Sequence, residues 1–277
     1  PDADRIGLVI RDNNGEYVLI NGNQIVMIFL NYLMTRNTEL GTLTGNEYIV
    51  KTIVTTETIR TIAEAQHIKM YDCFTGFKWI ANVMRENEGK ARYLGGGEES
   101  YGFLAEDFVR DKDSVSAISL MAEIAAWAKD KGLNMTDMLI DIYMKYGFSR
   151  EKGISLVRKG KSGAEEIIAL MKQFRENPPK EIAGSPVVTV KDFQSLVETN
   201  VATGETKKLD MPATSNVLQY YTADRTKVSV RPSGTEPKIK FYIEVHDTLA
   251  SADEYKATEA RADEKINRIA KEFGITK

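Results

Sequence analysis

Cysteine occurs once in this 277-residue chain, at Cys73, so no internal disulfide can form and a reducing cytoplasm is the expected setting. Histidine occurs twice, at His67 and His246, which leaves little material for a His-rich metal centre or a Ser–His–Asp triad. Neither sign of charge is in excess. Lys and Arg number 37 against 40 Asp and Glu, a net charge of −3, so no basic field exists to draw in nucleic acid. No apolar run approaches the ~20 residues that span a bilayer, and no membrane partner is expected. No signal peptide or basic presequence is expected either. The chain opens at Pro1, without Met and inside an acidic motif, which predicts a piece of a longer protein. Internal repeats, low-complexity tracts and long linkers are absent.

What is present reads as two architectures. The length fits about two domains, and an apolar fraction of 42% supplies a core for each. Residues 6–11 and 16–20, joined by Asp12-Asn13-Asn14-Gly15, predict a hairpin. Residues 23–35 carry apolar side chains at helical spacing. Strands are expected at 48–54 and 68–74, short helices at 57–66 and 79–86, and a third strand at 92–94 running into Gly95-Gly96-Gly97. Helices follow at 115–131 and 135–146. This order, with short connections, predicts a layered α/β domain with a mostly parallel sheet. Past a boundary near 147–150 the pattern changes. A strand is expected at 154–158, and Ser162 and Glu165 have the spacing of a capping box opening a helix at 164–175. Short strands separated by turns then run to Glu244, and a charged helix covers 251–273, an α+β pattern with a meandering antiparallel sheet.

Four loops carry possible chemistry. Arg231-Pro232-Ser233-Gly234-Thr235-Glu236-Pro237-Lys238 lies between two β-rich runs. It offers two hydroxyls, a glycine that lets the backbone approach a ligand, and a cation at each end, a receptor suited to a phosphate monoester. The same residues also make a well-formed hairpin turn. Asp2 and Asp4 stand two apart before Arg5 and can converge on a hard cation such as Mg²⁺, or simply form an acidic end. Gly95-Gly96-Gly97-Glu98-Glu99-Ser100-Tyr101-Gly102 groups acceptors and donors that suit vicinal sugar hydroxyls, or is a flexible connector. It is not a dinucleotide fingerprint, since Ser100 occupies the third glycine position. Thr75-Gly76-Phe77-Lys78 places a lysine in the first turn of a helix, where an anion would meet both the ammonium and free N–H groups, or where a surface lysine simply follows a turn. Gly160-Lys161-Ser162 looks like the end of a P-loop, but the first glycine would fall at Ser155, which excludes a nucleoside triphosphatase.

Taken in order, these loops make a chain that resembles the α-D-phosphohexomutase superfamily, which includes phosphoglucomutases and phosphomannomutases. The resemblance runs through the whole chain. Gly-Glu-Glu-Ser-Tyr-Gly is most similar to the branch of larger bacterial enzymes related to phosphopentomutases. Family members have four domains. The resemblance therefore implies that residues 1–22 end domain two with part of a metal loop. Residues 23–148 would form domain three, the sugar-binding α/β unit, and 149–277 domain four, a TATA-binding-protein-like sheet with helices on one face. It implies that Asp2 and Asp4 are two of the magnesium-binding aspartates, with Arg5 beside them. Thr75 and Gly76 would belong to the substrate site with Lys78, and Lys78 or Arg5 would be the general acid/base. Glu98 and Ser100 would contact ring hydroxyls, and Arg231, Ser233, Gly234 and Thr235 would grip the non-reacting phosphate.

The implied activity is Mg²⁺-dependent phosphoryl transfer on hexose phosphates through a hexose bisphosphate, with a phosphoserine as donor. That phosphoserine loop, usually Thr-Ala-Ser-His-Asn-Pro-like, is absent from this sequence, and the first metal aspartate is expected before Pro1. Gly97 also stands where a bulky residue often precedes the Glu-Glu pair. The chain alone is expected to be inactive, with the missing amino-terminal domains as its partners. A phosphopentomutase-type enzyme and a sugar-phosphate binding module without chemistry are the alternatives.

Overall fold

The computed structural model describes residues 2–158, 160–234 and 236–276. It divides into two compact units, Pro1–Phe148 with Leu249–Asp253, and Ser149–Thr248 with Glu254–Lys277.

Unit one opens on the expected hairpin, β1 (Leu8–Arg11) and β2 (Tyr17–Ile20), paired antiparallel from Leu8↔Ile20 to Arg11↔Tyr17. Its turn is closed by Asp12, whose Oδ1 accepts from the Asn14 and Glu16 amides at 2.9 Å each. Helix α1 (Gly22–Glu39) starts at a capping box in which Asn21 and Gln24 each bind the other's backbone N–H. Then come β3 (Glu47–Thr52), α2 (Thr58–Ala65), β4 (Lys69–Cys73), α3 (Phe77–Asn87), β5 (Arg92–Gly97), β6 (Phe103–Ala105), α4 (Ser114–Asp130) and α5 (Met135–Tyr146). The sheet order is β4-β3-β5-β6. β3 pairs parallel with both β4 and β5, and only β6 is antiparallel, so the sheet is mostly parallel. All six residues of β3 are buried, as befits a central strand covered on both faces.

The glycine run differs from expectation. Gly95, Gly96 and Gly97 are not loop but the last half of β5. None has a positive φ. Their missing side chains answer to packing: a Cβ on Gly96 would lie 2.6 Å from the Val50 carbonyl oxygen, and one on Gly97 2.7 Å from Val26 Cγ2.

Unit two holds β7 (Phe148–Val157), α6 (Gly160–Glu176), β8 (Glu181–Ile182), β9 (Ser185–Asp192), β10 (Val197–Asn200), β11 (Thr206–Lys208), β12 (Leu218–Thr222), β13 (Lys227–Pro232), β14 (Lys238–Asp247) and α7 (Tyr255–Glu272). The sheet runs β11-β10-β9-β12-β13-β14-β7, with β8 pairing β9. Register makes it two-sided. Leu218, Tyr220, Val228, Val230, Phe241 and Ile243 share one face, and Gln219, Tyr221, Lys227, Ser229, Arg231 and Glu244 share the other. Phe174 of α6 and Phe273 just past α7 both meet Phe241 edge-on, at 6.1 and 6.0 Å between ring centroids, so both helices cover the apolar face. This is the α+β, TATA-binding-protein-like arrangement.

Two boundaries are corrected. Ser162 lies inside α6 rather than ahead of it, because the helix begins at Gly160. A Cβ on Gly163 would meet the Arg158 carbonyl at 2.5 Å, so close seating of this first turn on the end of β7 sets the helix start. The final helix begins at Tyr255, after a short 3₁₀ turn over Ala252–Glu254. Among the described residues no helix is long and apolar enough to cross a membrane.

Candidate functional site

In a parallel sheet every strand ends on the same edge, and ligands gather there where the strand order reverses. In unit one β4 lies on one side of β3 and β5 on the other, which puts that reversal between β3 and β5. The loops that leave these carboxyl ends are 53–57 after β3, 74–76 after β4 and 98–102 after β5. Two of them hold residues singled out from the sequence.

Gly76 caps α3 with φ +108, a conformation that favours glycine, and no side chain caps the helix. The Gly76 amide donates to Glu98 Oε1 at 2.7 Å. Thus the anion at the start of α3 is Glu98 itself, only 4% exposed and facing the positive end of the helix. Thr75 is half-buried beside this contact. Lys78 is exposed in the first turn, its ammonium 5.3 Å from the Trp79 ring centroid, and it makes no ion pair with a described residue.

The loop 98–102 is tight. The Glu98 amide donates to the Gly102 carbonyl at 2.9 Å, and the Tyr101 amide to the Glu98 carbonyl at 3.2 Å. Tyr101 sits at φ +73, uncommon for an aromatic residue and the kind of strain that collects at ligand sites. Ser100 is half-buried between them. Glu99 turns the other way and accepts from Thr52 Oγ1 at 3.2 Å.

The amino-terminal segment joins this cluster. The Ala3 carbonyl accepts from the Ser114 amide and hydroxyl at 3.1 and 2.6 Å. Asp4 binds Lys112 at 3.0 Å and Arg5 at 3.3 Å. The Lys112 hydrogen bond holds the Asp4 carboxyl below the usual carboxylate range. Lys112 is the hub. Its ammonium lies 5.6 Å from the Phe77 ring centroid, and its stem fills the space where a Gly102 side chain would be. Asp2 is exposed. Among the described residues no group of three or more His, Cys, Asp or Glu could hold a metal ion. Asp2 and Asp4 do not by themselves complete a magnesium site, and Asp4 is already paired with two cations.

Beneath the loops lies a quartet that no motif announces. Lys51 is 0% exposed and reaches Glu57 at 3.0 Å and Asp72 at 2.8 Å. Arg60 closes the ring, binding Glu57 at 3.1 Å and also Asp72. The Lys51 ammonium further donates to the Thr52 and Thr55 carbonyls at 3.4 Å each, fastening the loop after β3. One signal was available: a single lysine inside the run Tyr48-Ile49-Val50-Lys51-Thr52-Ile53-Val54 must find partners if that run is buried.

In unit two β13 and β14 pair as a hairpin, and Ser233, Gly234, Glu236 and Pro237 lie between them. The Ser233 amide donates to the Lys238 carbonyl at 2.8 Å, and the Arg158 amide to the Pro237 carbonyl at 2.9 Å. Lys238 pairs with Glu236, whose carboxyl is held low by that bond. Arg231 is half-buried on the polar face of the sheet, and its guanidinium has no partner among the described residues. Among the described residues, chain neighbours aside, nothing lies within 4 Å of a Cβ on Gly234. Thr235 lies outside the described residues. On the same face Lys227 pairs with Glu244 at 2.8 Å, and Gln219 binds Ser229 at 2.9 Å, two buried contacts that no motif reveals.

The family model for the alpha/beta/alpha domain III of phosphoglucomutase/phosphomannomutase matches residues 21–146, and that for the C-terminal domain matches 170–262. The chain belongs to this family. Among curated relatives, the phosphoglucomutase of Staphylococcus epidermidis is 36% identical over 243 residues, covering 88% of this chain and 43% of the relative. That of Staphylococcus haemolyticus is 33% identical over 246 residues, covering 89% and 44%. The chain thus spans less than half the length of the curated relatives it matches. The fold is shared with the open form of the phosphoglucomutase-type phosphoprotein parafusin from Paramecium, with TM-score 0.59 at 15% identity over 97% of this chain and 45% of that one. It is shared too with a phosphoglucomutase/phosphomannomutase family protein from Burkholderia thailandensis, with TM-score 0.56 at 17% identity over 99% and 45%. Such low identities speak for the fold alone.

Proposed function

We propose that the chain is the sugar- and phosphate-holding part of a phosphoglucomutase/phosphomannomutase that acts on hexose phosphates. The observation that carries this is the buried Glu98, fixed by the Gly76 amide at the carboxyl edge of the parallel sheet. It presents a preorganised acceptor beside Ser100, where a sugar's hydroxyls would bind. The guanidinium of Arg231, without a partner among the described residues and with Ser233 and Gly234 following it, would supply a receptor for the phosphate ester, and Thr235 joins it on the strength of sequence.

Lys78 is the better candidate for general acid/base. It is exposed in the first turn of α3 and unpaired among the described residues, whereas Arg5 binds Asp4 and a guanidinium keeps its proton. Asp2 and Asp4 would give two of the carboxylates around a magnesium ion, whose role when bound is to offset charge on the transferring phosphoryl group. A third carboxylate from the parent protein would be needed. The phosphoryl donor, a phosphoserine, would come from the same parent. The single buried Cys73 is compatible with a cytoplasmic setting.

Calorimetric titration with glucose 1-phosphate tests the reading. Arg231→Ala is expected to cost about 1.5–3 kcal/mol of binding, the worth of a charged hydrogen bond. Binding left intact by that change would reduce the loop to a hairpin turn.

A further inference from the structure

We propose that the first turn of α1 positions the unit-one ligand loops, with Gly22 and Asn23 as positioning residues. This rests on the reading that the loop 98–102 takes sugar hydroxyls. Neither residue belongs to a ligand motif, yet each touches a different loop at the edge of the sheet.

Gly22 has an ordinary helical backbone, so glycine is not required there for its φ. It is required for space. A Cβ on Gly22 would lie 2.0 Å from the Glu99 carbonyl oxygen, 2.6 Å from the Glu99 carbonyl carbon and 2.8 Å from the Tyr101 amide nitrogen. All three are backbone atoms, so no side-chain rotation relieves the contact. The loop 98–102 is seated directly on the helix end. Asn23, one residue on, turns its Oδ1 to the Thr56 amide at 2.9 Å and holds the loop after β3.

The two loops are joined to each other as well. Thr52 Oγ1 donates to Glu99 Oε2 at 3.2 Å and lies 2.8 Å from Thr55 Oγ1. The helix end is itself fixed. Asn21 and Gln24 close the capping box at 2.9 and 3.0 Å, and the Gln24 amide reaches the Tyr143 hydroxyl of α5 at 3.3 Å. Behind it, the side chains from Ile25 to Leu30 are all buried to within 1%. A rigid shaft thus ends in one turn that grips both sides of the strand reversal, and the acceptors Glu98 and Ser100 inherit their geometry from it.

The test uses the whole 277-residue chain and the variants Asn23→Ala, Asn23→Asp and Gly22→Ala. Calorimetry is run with glucose 1-phosphate and, separately, with inorganic phosphate, which lacks the hydroxyls. Amide hydrogen exchange is followed at residues 55–56 and 98–102. Asn23→Ala is expected to weaken glucose 1-phosphate about fivefold, the worth of one neutral hydrogen bond, and to leave inorganic phosphate unchanged. Asn23→Asp keeps the acceptor and should restore the affinity. Exchange in both loops should quicken in Asn23→Ala and return in Asn23→Asp, and quicken at 98–102 in Gly22→Ala. If Gly22→Ala does not fold, the Asn23 pair still decides. Unchanged exchange at both loops in Asn23→Ala overturns the inference. A wild-type chain that ignores glucose 1-phosphate defeats the proposed function instead, and the exchange measurement then decides the positioning role alone.

Discussion

A methyl group at Gly96 would press on the Val50 carbonyl oxygen and the Tyr93 hydroxyl, both 2.6 Å from the added atom. Gly96→Ala is therefore expected to cost about 1–3 kcal/mol, the usual penalty of overpacking, read from the urea midpoint. An unmoved midpoint would mean that the strands part freely. Lys51→Met should cost about 3 kcal/mol by the same measurement, since it leaves two carboxylates to a single arginine. A stable Lys51→Met protein would show that Arg60 alone suffices. Residues of this kind mark the limit of what could be read in advance. A glycine run reads as a loop when its neighbours are unknown, because Val50 and Val26 are remote in sequence and meet it only in the fold. Glu98 and Ser100 stood out as candidates because they sit in one short motif. Gly22, Asn23 and Lys112 were not, because each acts on a segment far along the chain.

Local chemistry shows most plainly in the short connections. The β12–β13 turn is built on Asp224, which accepts from Thr222 and Thr226 hydroxyls at 2.6 and 2.9 Å and from Lys265 at 2.7 Å. Burial opposes its ionisation, but these hydrogen bonds prevail and hold its carboxyl well below the usual range. A carboxylate depressed in the folded state stabilises above its unfolded pKa, about 3.9, and that stability drains away as pH falls below it. Asp224→Asn should therefore lower the melting temperature at pH 7, by an amount blunted by solvent screening, and by less near pH 2. Equal gaps at both pH values would show that the charge is not used. The β1–β2 turn was legible for a related reason, since Asp12 and Gly15 act within a few residues of themselves. The start of α6 was not. It depends on Gly163 meeting the backbone of Arg158, and a local capping signal at Ser162 misled. The two-sided sheet of unit two was legible as alternation but not as pairing, so the Lys227–Glu244 and Gln219–Ser229 contacts emerged only with register.

For the chain taken whole, the order of four weak motifs carried more than any one of them. The architecture followed, a mostly parallel α/β unit and then an antiparallel sheet backed by two helices. Roles follow less directly, because a family's chemistry is spread over more chain than these 277 residues. With no Ser-His-Asn-Pro-like loop in the sequence, the purified chain is expected to show no interconversion of glucose 1-phosphate and glucose 6-phosphate in a coupled assay. Measurable turnover that survives further purification would contradict the assignment of the phosphoryl donor to a missing segment.

The quartet of Lys51, Arg60, Glu57 and Asp72 balances its own charges around a fully buried lysine, and this makes it a poor sensor of the surrounding electrolyte. The half-buried guanidinium of Arg231 is the opposite: as the proposed phosphate receptor it would draw a dianion through water whose screening length shrinks from about 8 Å at 0.15 M ionic strength to about 3 Å at 1 M. Added sodium chloride should accordingly dial down the pull on phosphate while leaving the hydroxyl-facing scaffold as it was. Ionic strength thus becomes a handle for weighing one half of the recognition against the other, without altering a single residue.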